Sequence, residues 1–205
     1  MKLNQRFVSL MLAVAILLLM LPSTALETSA ASSNADIIFE YMVGTMGLNH
    51  AAACGVLANI QCESNFNPTA SGDYGTSYGI CQWHNARFTA LKNYCSSNGY
   101  SYTSLEGQLH YLEYELNNSY SYVLSRLKGV SNTASGAYDA GYAWCYYFEV
   151  PADYPNVSVT RGNLAKNTYW PSYSNYAMSS ASLPDGVYVI KTALNNDYAI
   201  DISGQ

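Results

Sequence analysis

A mainly helical α+β domain with one small β excursion, followed by a linker and an incomplete β segment, is the architecture this sequence predicts. Three observations carry it. Apolar residues recur at helical spacing through most of residues 35–170. A cluster of glycines and small polar residues over 69–79 interrupts that rhythm. After residue 184 the pattern changes to alternation.

The first helix is read from Ile37, Ile38, Tyr41 and Met42, and Gly47 closes it. Asn49 can cap the next helix with its side-chain oxygen; the apolar members there are Ala52, Ala53, Val56, Leu57 and Ile60. Gly72, Gly75 and Gly79 then sit among Ser, Thr, Asp and Tyr, a turn-rich β excursion whose last extended piece is 80–83. Helices resume with Phe88, Leu91 and Cys95 on one face, then Leu105, Leu109, Leu112 and Leu116 on another. Val123, Leu124 and Leu127 make a short helix, and Tyr138, Gly141, Trp144, Cys145 and Phe148 a buried one. Pro151 and Pro155 break the chain before a last helix over about 158–168.

These elements give a domain over 32–173, a linker rich in Ser, Tyr, Ala and Asn over 174–183, and a β segment over 184–205. In that segment Val187 and Val189 alternate with Tyr188 and Ile190, residues 195–197 read as a turn, and 198–202 alternate again. One hairpin is marginal alone, so either a longer gene product or a truncated sequence is expected.

At the other end Lys2 and Arg6 precede an apolar run over 7–21, then Pro22 and small residues. Basic, apolar and small in that order is a secretory signal, read over 1–31, with cleavage after Ala25 or within 28–31. The run is shorter than the roughly 20 apolar residues a spanning helix needs, so no stable membrane anchor is expected. The location implied is secreted, outside a bacterial cell or at its wall.

Setting residues 1–31 aside removes Lys2, Arg6 and Glu27, leaving a chain one unit more acidic than the formal −5 of the whole. An acidic chain without a basic cluster argues against nucleic acid as a partner. Few charges and 20 tyrosines point to a neutral, polar, ring-bearing ligand such as a glycan. Export permits disulfides, and Cys54, Cys62, Cys81, Cys95 and Cys145 are expected to form two bridges and leave one thiol. There is no CxxC pair to suggest a zinc ribbon. No metal or other cofactor is expected, and the protein is expected to be a monomer.

The chemistry centres on Glu63. It lies three residues after Ile60 and seven after Val56, so it extends the apolar stripe rather than the solvent side. It also sits in the last turn, where the helix carries partial negative charge. Both effects disfavour ionisation and are expected to raise its pKa. A glutamate kept protonated near neutrality can serve as a general acid. Nearby, Trp83, Tyr74 and Tyr78 can offer flat faces for sugar rings, and Gln82, His84 and Asn85 can offer hydrogen-bond partners. The competing reading is ordinary structure: Glu63 turned to water, Trp83 in the core, His84 on the surface, Arg87 starting the next helix.

The runs "AAACGVLANIQCESNFNPTA", "YGTSYGICQWHNARFTALKNY", "GQLHYLEYEL" and "YYFEVP" occur in this order over residues 35 to about 170. Together they resemble the phage tail lysozyme family, a branch of the lysozyme superfamily, in a secreted bacterial form. The resemblance implies a lysozyme-like helical domain that acts on peptidoglycan glycan strands, at the β-1,4 bond between N-acetylmuramic acid and N-acetylglucosamine. It places the family's catalytic acid on Glu63 and its sugar-site run on Gly79, Gln82, Trp83 and Arg87. The family's "Tyr-Glu-x-Pro"-like run falls on Phe148, Glu149 and Pro151, with Phe where Tyr is usual, which removes a hydroxyl. Cysteines at 54, 62 and 81 depart from the family pattern. The segment "DGVYVIKTALNNDYAIDISG" resembles the opening repeat of a ricin-type β-trefoil lectin, which implies binding of other carbohydrate; a trefoil closes only with three repeats.

What happens on the far side of the sugar stays open at this point. Two-carboxylate glycosidases keep their carboxyl groups roughly 5 to 9.5 Å apart. Asp73 is the candidate partner, although Ser-Gly-Asp-Tyr-Gly is also turn chemistry. Without it, the substrate's N-acetyl group could attack, giving hydrolysis with water or an anhydro product in a lytic transglycosylase. Glu149 reads as structural, or as a partner that orients the site. Two other classes compete: a cysteine amidase using Cys81 or Cys54 with one of His50, His84 and His110 as base, and a non-catalytic wall-binding protein.

Overall fold

Ser33 opens the first helix with a reciprocal cap. Its hydroxyl accepts from the Asp36 amide, and the Asp36 carboxylate accepts from the Ser33 amide. This is seen in a computed structural model of the protein, which describes residues 33–178 and the backbone of 189–192 and 195–201. The secretory signal lies outside the described residues. Helix α1 (Asn34–Glu40) runs into a π-helical turn (Tyr41–Thr45), and Gly47 ends it at φ 68°, as its sequence position suggested.

Asn49 caps α2 (His50–Ser64) as expected, accepting from the Ala52 amide at 2.9 Å. Residues 51–60 are buried without exception, so α2 is enclosed all round rather than carrying one apolar stripe. Small side chains make that enclosure possible. A Cβ on Gly55 would lie 2.5 Å from the Gly141 backbone nitrogen, so only glycine lets α2 cross the later helix α6 this closely.

The excursion is a three-stranded antiparallel sheet of minimal strands: β1 (Ser71–Gly72), β2 (Ser77–Tyr78) and β3 (Trp83–His84), in the order β1-β2-β3. Ser71 pairs with Tyr78, and Tyr78 with Trp83. The helices that follow are α3 (Ala86–Asn98), α4 (Leu105–Asn117), α5 (Ser121–Lys128) and α6 (Ala134–Trp144). A π-helical turn (Cys145–Glu149) extends α6. Then come α7 (Tyr154–Leu164), a third π-helical turn (Ala165–Tyr169) and α8 (Trp170–Tyr173). The described residues thus have the mainly helical α+β architecture the sequence predicted.

Four details differ from the sequence reading. The last long helix starts at Tyr154, because Pro155 sits in its first turn, where no amide is needed. Packing continues past residue 174, where a linker was expected to begin. Tyr173 and Tyr176 pack on Phe39, with ring centroids 4.6 and 5.1 Å away, and donate to Asp36 and Glu40. All five cysteines are free. Four are buried on separate elements as small apolar residues, so the expected pair of bridges gives way to packing. Finally, residues 195–197 are not a turn: β5 (Asn195–Asp201) begins there and pairs antiparallel with β4 (Val189–Thr192).

Candidate active site

Glu63 is placed by the abrupt end of α2. Asn65 and Phe66 both adopt left-handed backbone, at φ 50° and 61°, and turn the chain away just after it. The Ser64 hydroxyl donates to the carbonyls of Ile60, at 3.2 Å, and Ile80, at 2.9 Å, pinning the helix end to the excursion. Gln108 of α4 fixes the excursion from below. Its Oε1 accepts from the Ile80 amide at 2.9 Å, and its Nε2 donates to the carbonyls of Pro68 and Tyr102, each at 2.7 Å. Gly79, at φ 80°, lies so close that a Cβ would meet Gln108 Oε1 at 2.6 Å.

The Glu63 carboxylate meets Arg161 of α7, whose Nη2 donates to Oε1 at 2.8 Å. The other end of that guanidinium, Nη1, donates to the Asn59 carbonyl at 2.8 Å. Glu63 therefore neither lies in an apolar pocket nor turns to water, as the two sequence readings had it. It is a partly enclosed carboxylate held by a buried arginine.

Glu149 stands at the end of the π-helical turn, where Val150 takes φ 48° and ends the element. Five residues back on the same π-helical face, Trp144 donates its indole N–H to Glu149 Oε1 at 2.8 Å. Burial, and next the negative charge of Glu63, push the Glu149 carboxyl up to about 8, against the pull of Arg87 and Arg161. Glu63 and Glu149 thus lie within electrostatic reach of one another.

A second arginine–glutamate pair borders Glu149. Arg87 grips Glu115 with Nε at 2.7 Å and Nη2 at 2.9 Å, and donates from Nη1 to the Phe148 carbonyl at 3.3 Å. Its guanidinium also lies over the rings of Phe148 and Tyr120, at 4.4 and 4.9 Å. Arg87 thus ties the excursion's exit to α4 and to the π-helical turn. Phe148, without the usual hydroxyl, serves as an apolar floor for this cation.

The other residues singled out in the sequence scatter. Trp83 has no exposed surface; it points inward and donates to Glu115 at 2.9 Å, which corrects its reading as a sugar platform. Gln82, at φ 45°, spends its amide on the carbonyls of Ala70 and Gly79. Tyr78 is half-buried and stacks on Phe88 at 5.0 Å. Tyr74 stands fully exposed at the tip. Asp73 is exposed, at φ 48°, and accepts from the Ser77 hydroxyl at 2.6 Å. That hydroxyl also meets His84 Nδ1 at 2.9 Å, so Asp73, Ser77 and His84 form one turn cluster.

The cysteine readings lose their physical basis. Cys81 and Cys54 are buried, and burial drives the first thiol well above its ordinary range and the second up to about 12. A thiolate nucleophile needs the opposite. His50 is engaged with the carbonyls of Tyr173 and Ser174, and His110 with Tyr41 and Tyr100.

Sequence reasoning missed Arg161, Glu115, Gln108 and Trp144. One of them carried a signal. Glu115 lies three residues after Leu112, beside Leu116, on the apolar face of α4, the same pattern that marked Glu63.

Residues 33–170 match the family described as phage tail lysozyme. The match ends short of residues 184–205. The chain is also 28% identical, over 145 residues, to Morphogenesis protein 1 of Bacillus phage B103. That alignment covers 67% of this chain and 38% of the phage protein, so the chain spans well under half of that relative's length.

Proposed function

The chain belongs to the phage tail lysozyme family, and from that membership we propose a secreted bacterial muramidase that hydrolyses the β-1,4 bond between N-acetylmuramic acid and N-acetylglucosamine in peptidoglycan. The observation that carries the reading is the Glu63–Glu149 pair. Glu149 is pushed up to about 8 by burial and next by Glu63. The site therefore holds a proton on Glu149 through neutrality. Glu63, at the end of α2 beside the excursion, is the general acid that passes a proton to the glycosidic oxygen. Arg161 then stabilises the carboxylate left behind, and its second contact to the Asn59 carbonyl keeps it from following the substrate. Asp73, exposed on the excursion, is the candidate carboxylate for the other face of the sugar. Tyr74 and Tyr78 are the aromatic faces offered to the glycan; Gln82, Trp83, Arg87 and Glu149 act behind them by holding the frame.

A second reading rests on the same pair. Because Glu149 is the member whose carboxyl is pushed up, it could be the donor itself, with Glu63 as the charged partner. Both assignments are tested by mass spectrometry of fragments released from purified peptidoglycan by the wild type, Glu63→Gln and Glu149→Gln. Reducing muramic ends that vanish only with Glu63→Gln support the first assignment; equal loss with Glu149→Gln supports the second. Anhydro-muramic ends replace the hydrolase by a transglycosylase. Free peptides from intact glycan strands, or no products at all, sink the glycosidase reading.

A further inference from the structure

We propose that the outer face of α6 is a second glycan-binding site, separate from the Glu63 centre, which holds the enzyme on the polymer it cuts. The proposal rests on the peptidoglycan reading above for the identity of the polymer. The site is a groove of about 300 Å³ lined by Arg126, Tyr138, Asp139, Tyr142 and Tyr147.

Two of its rings, Tyr138 and Tyr142, stack at 6.3 Å between centroids, and beyond the groove Tyr146 continues the row, stacked on Tyr142 at 5.7 Å with only 16° between their planes. These residues are four apart, so the helix itself sets the spacing. Tyr147 adds a rung at the side, with Tyr122 edge-on to it at 6.1 Å. None of the four tyrosines Tyr138, Tyr142, Tyr146 and Tyr147 is fully buried. Amphipathic rings in a row suit a polymer of pyranose units, which present flat C–H faces to the rings and hydroxyls to the edges.

Two charged groups decide which glycan. The Arg126 guanidinium lies over the Tyr147 ring at 4.4 Å and makes no salt bridge among the described residues. It sits in the last turn of α5. A cation without an anionic partner beside a sugar-sized aromatic groove fits a glycan carrying carboxylates. The lactyl-linked stem peptides of peptidoglycan carry them; plain chitin does not. Asp139, also in the lining, can accept from sugar hydroxyls.

The test is co-sedimentation of the full chain with purified sacculi freed of other wall polymers, in a Glu63→Gln background so that the sacculi stay intact. Tyr142→Ala is expected to weaken sedimentation about tenfold. Tyr142→Phe, which keeps the ring, retains it. Arg126→Gln is expected to weaken binding to intact sacculi but to leave binding to chitin, which carries no carboxylates, unchanged. With Glu63 restored, all three variants cleave short soluble fragments at the wild-type rate. Undiminished sedimentation of Tyr142→Ala and Arg126→Gln overturns the proposal, and so does equal weakening by Tyr142→Phe. If the wild type releases no glycan fragments, the muramidase reading fails independently of the sedimentation result. A matching melting temperature for Tyr142→Ala excludes unfolding as the cause.

Discussion

Two arginine–glutamate pairs act on Glu149, and they hide opposite partners. In the Arg87–Glu115 pair the glutamate is the concealed member, with 5% of its side chain exposed against 25% for the arginine. In the Arg161–Glu63 pair the order reverses: the glutamate keeps 20% and the arginine 10%. Glu115 also receives the Trp83 indole and the Tyr111 hydroxyl, so its oxygens are fully engaged. Glu63 receives one hydrogen bond from its arginine and retains exposed surface. The same two residue types thus build a bolt in one place and a more accessible carboxylate in the other, and the difference is which partner the fold buries.

The contrast is broken most forcefully by neutralising each glutamate in turn. Glu63→Gln is expected to lower kcat by about a thousandfold or more, the range of a lost general acid, with a melting temperature near that of the wild type. Glu115→Gln is expected to do the reverse. Removing one charge of a buried pair costs about 3 kcal/mol, read as a lower Tm in thermal unfolding, while the protein that remains folded keeps most of its kcat. If both substitutions act on Tm alone, Glu63 is a bolt as well.

Arg161→Met sharpens the comparison from the cation's side. It leaves Glu63 without its partner and the Asn59 carbonyl without its donor. A loss of about 2 kcal/mol in stability is expected, together with a fall in kcat and an altered pH–rate profile. Arg161→Lys keeps the charge but cannot span both acceptors, and is expected to recover part of the activity and little of the stability.

Protonation tests the pair through linkage. The native Glu149 carboxyl holds its proton up to about 8, whereas an unfolded glutamate loses it near 4.5. Between those values the unfolded state binds fewer protons, so Glu149 makes stability fall as pH rises across that window. Glu149→Gln is expected to flatten this slope and to gain a few degrees of Tm near pH 8 relative to the wild type. An unchanged slope from pH 5 to 8 refutes the shifted carboxyl.

The smallest effect comes from Trp83. As a buried donor to Glu115, Trp83→Phe is expected to cost about 1 kcal/mol of stability and leave KM unchanged. A rise in KM at constant Tm would return it to the sugar site.

These tests bear on what a sequence can reveal. Helix content was readable because spacing is a local property: Asn49 and Gly47 mark element ends in the sequence and in the structure alike. Glu63 was found because its neighbours on the helix are apolar. Arg161 was not, because its partner lies 98 residues away and nothing local in α7 records the pairing. The run from Gln82 to Arg87 misled for a physical reason. Neighbours in a strand point to opposite faces, so Trp83 turns into the core while His84 turns to solvent. Five cysteines behind an expected export signal suggested bridges by habit of composition, yet a thiol of this size also fills a helix crossing.

The clasp between the two ends of the domain has a further consequence. Tyr173 and Tyr176 bring the exit of the chain back onto α1, where they bond Asp36 and Glu40 and pack on Phe39. Entry and exit leave from one side, so the body can be inserted into a longer polypeptide like a bead on a loop, with little strain on its surroundings. A tug on the flanking chain is met first by this aromatic buckle at the rim, and only after it yields by the helices that hold Glu63 and Glu149 in place.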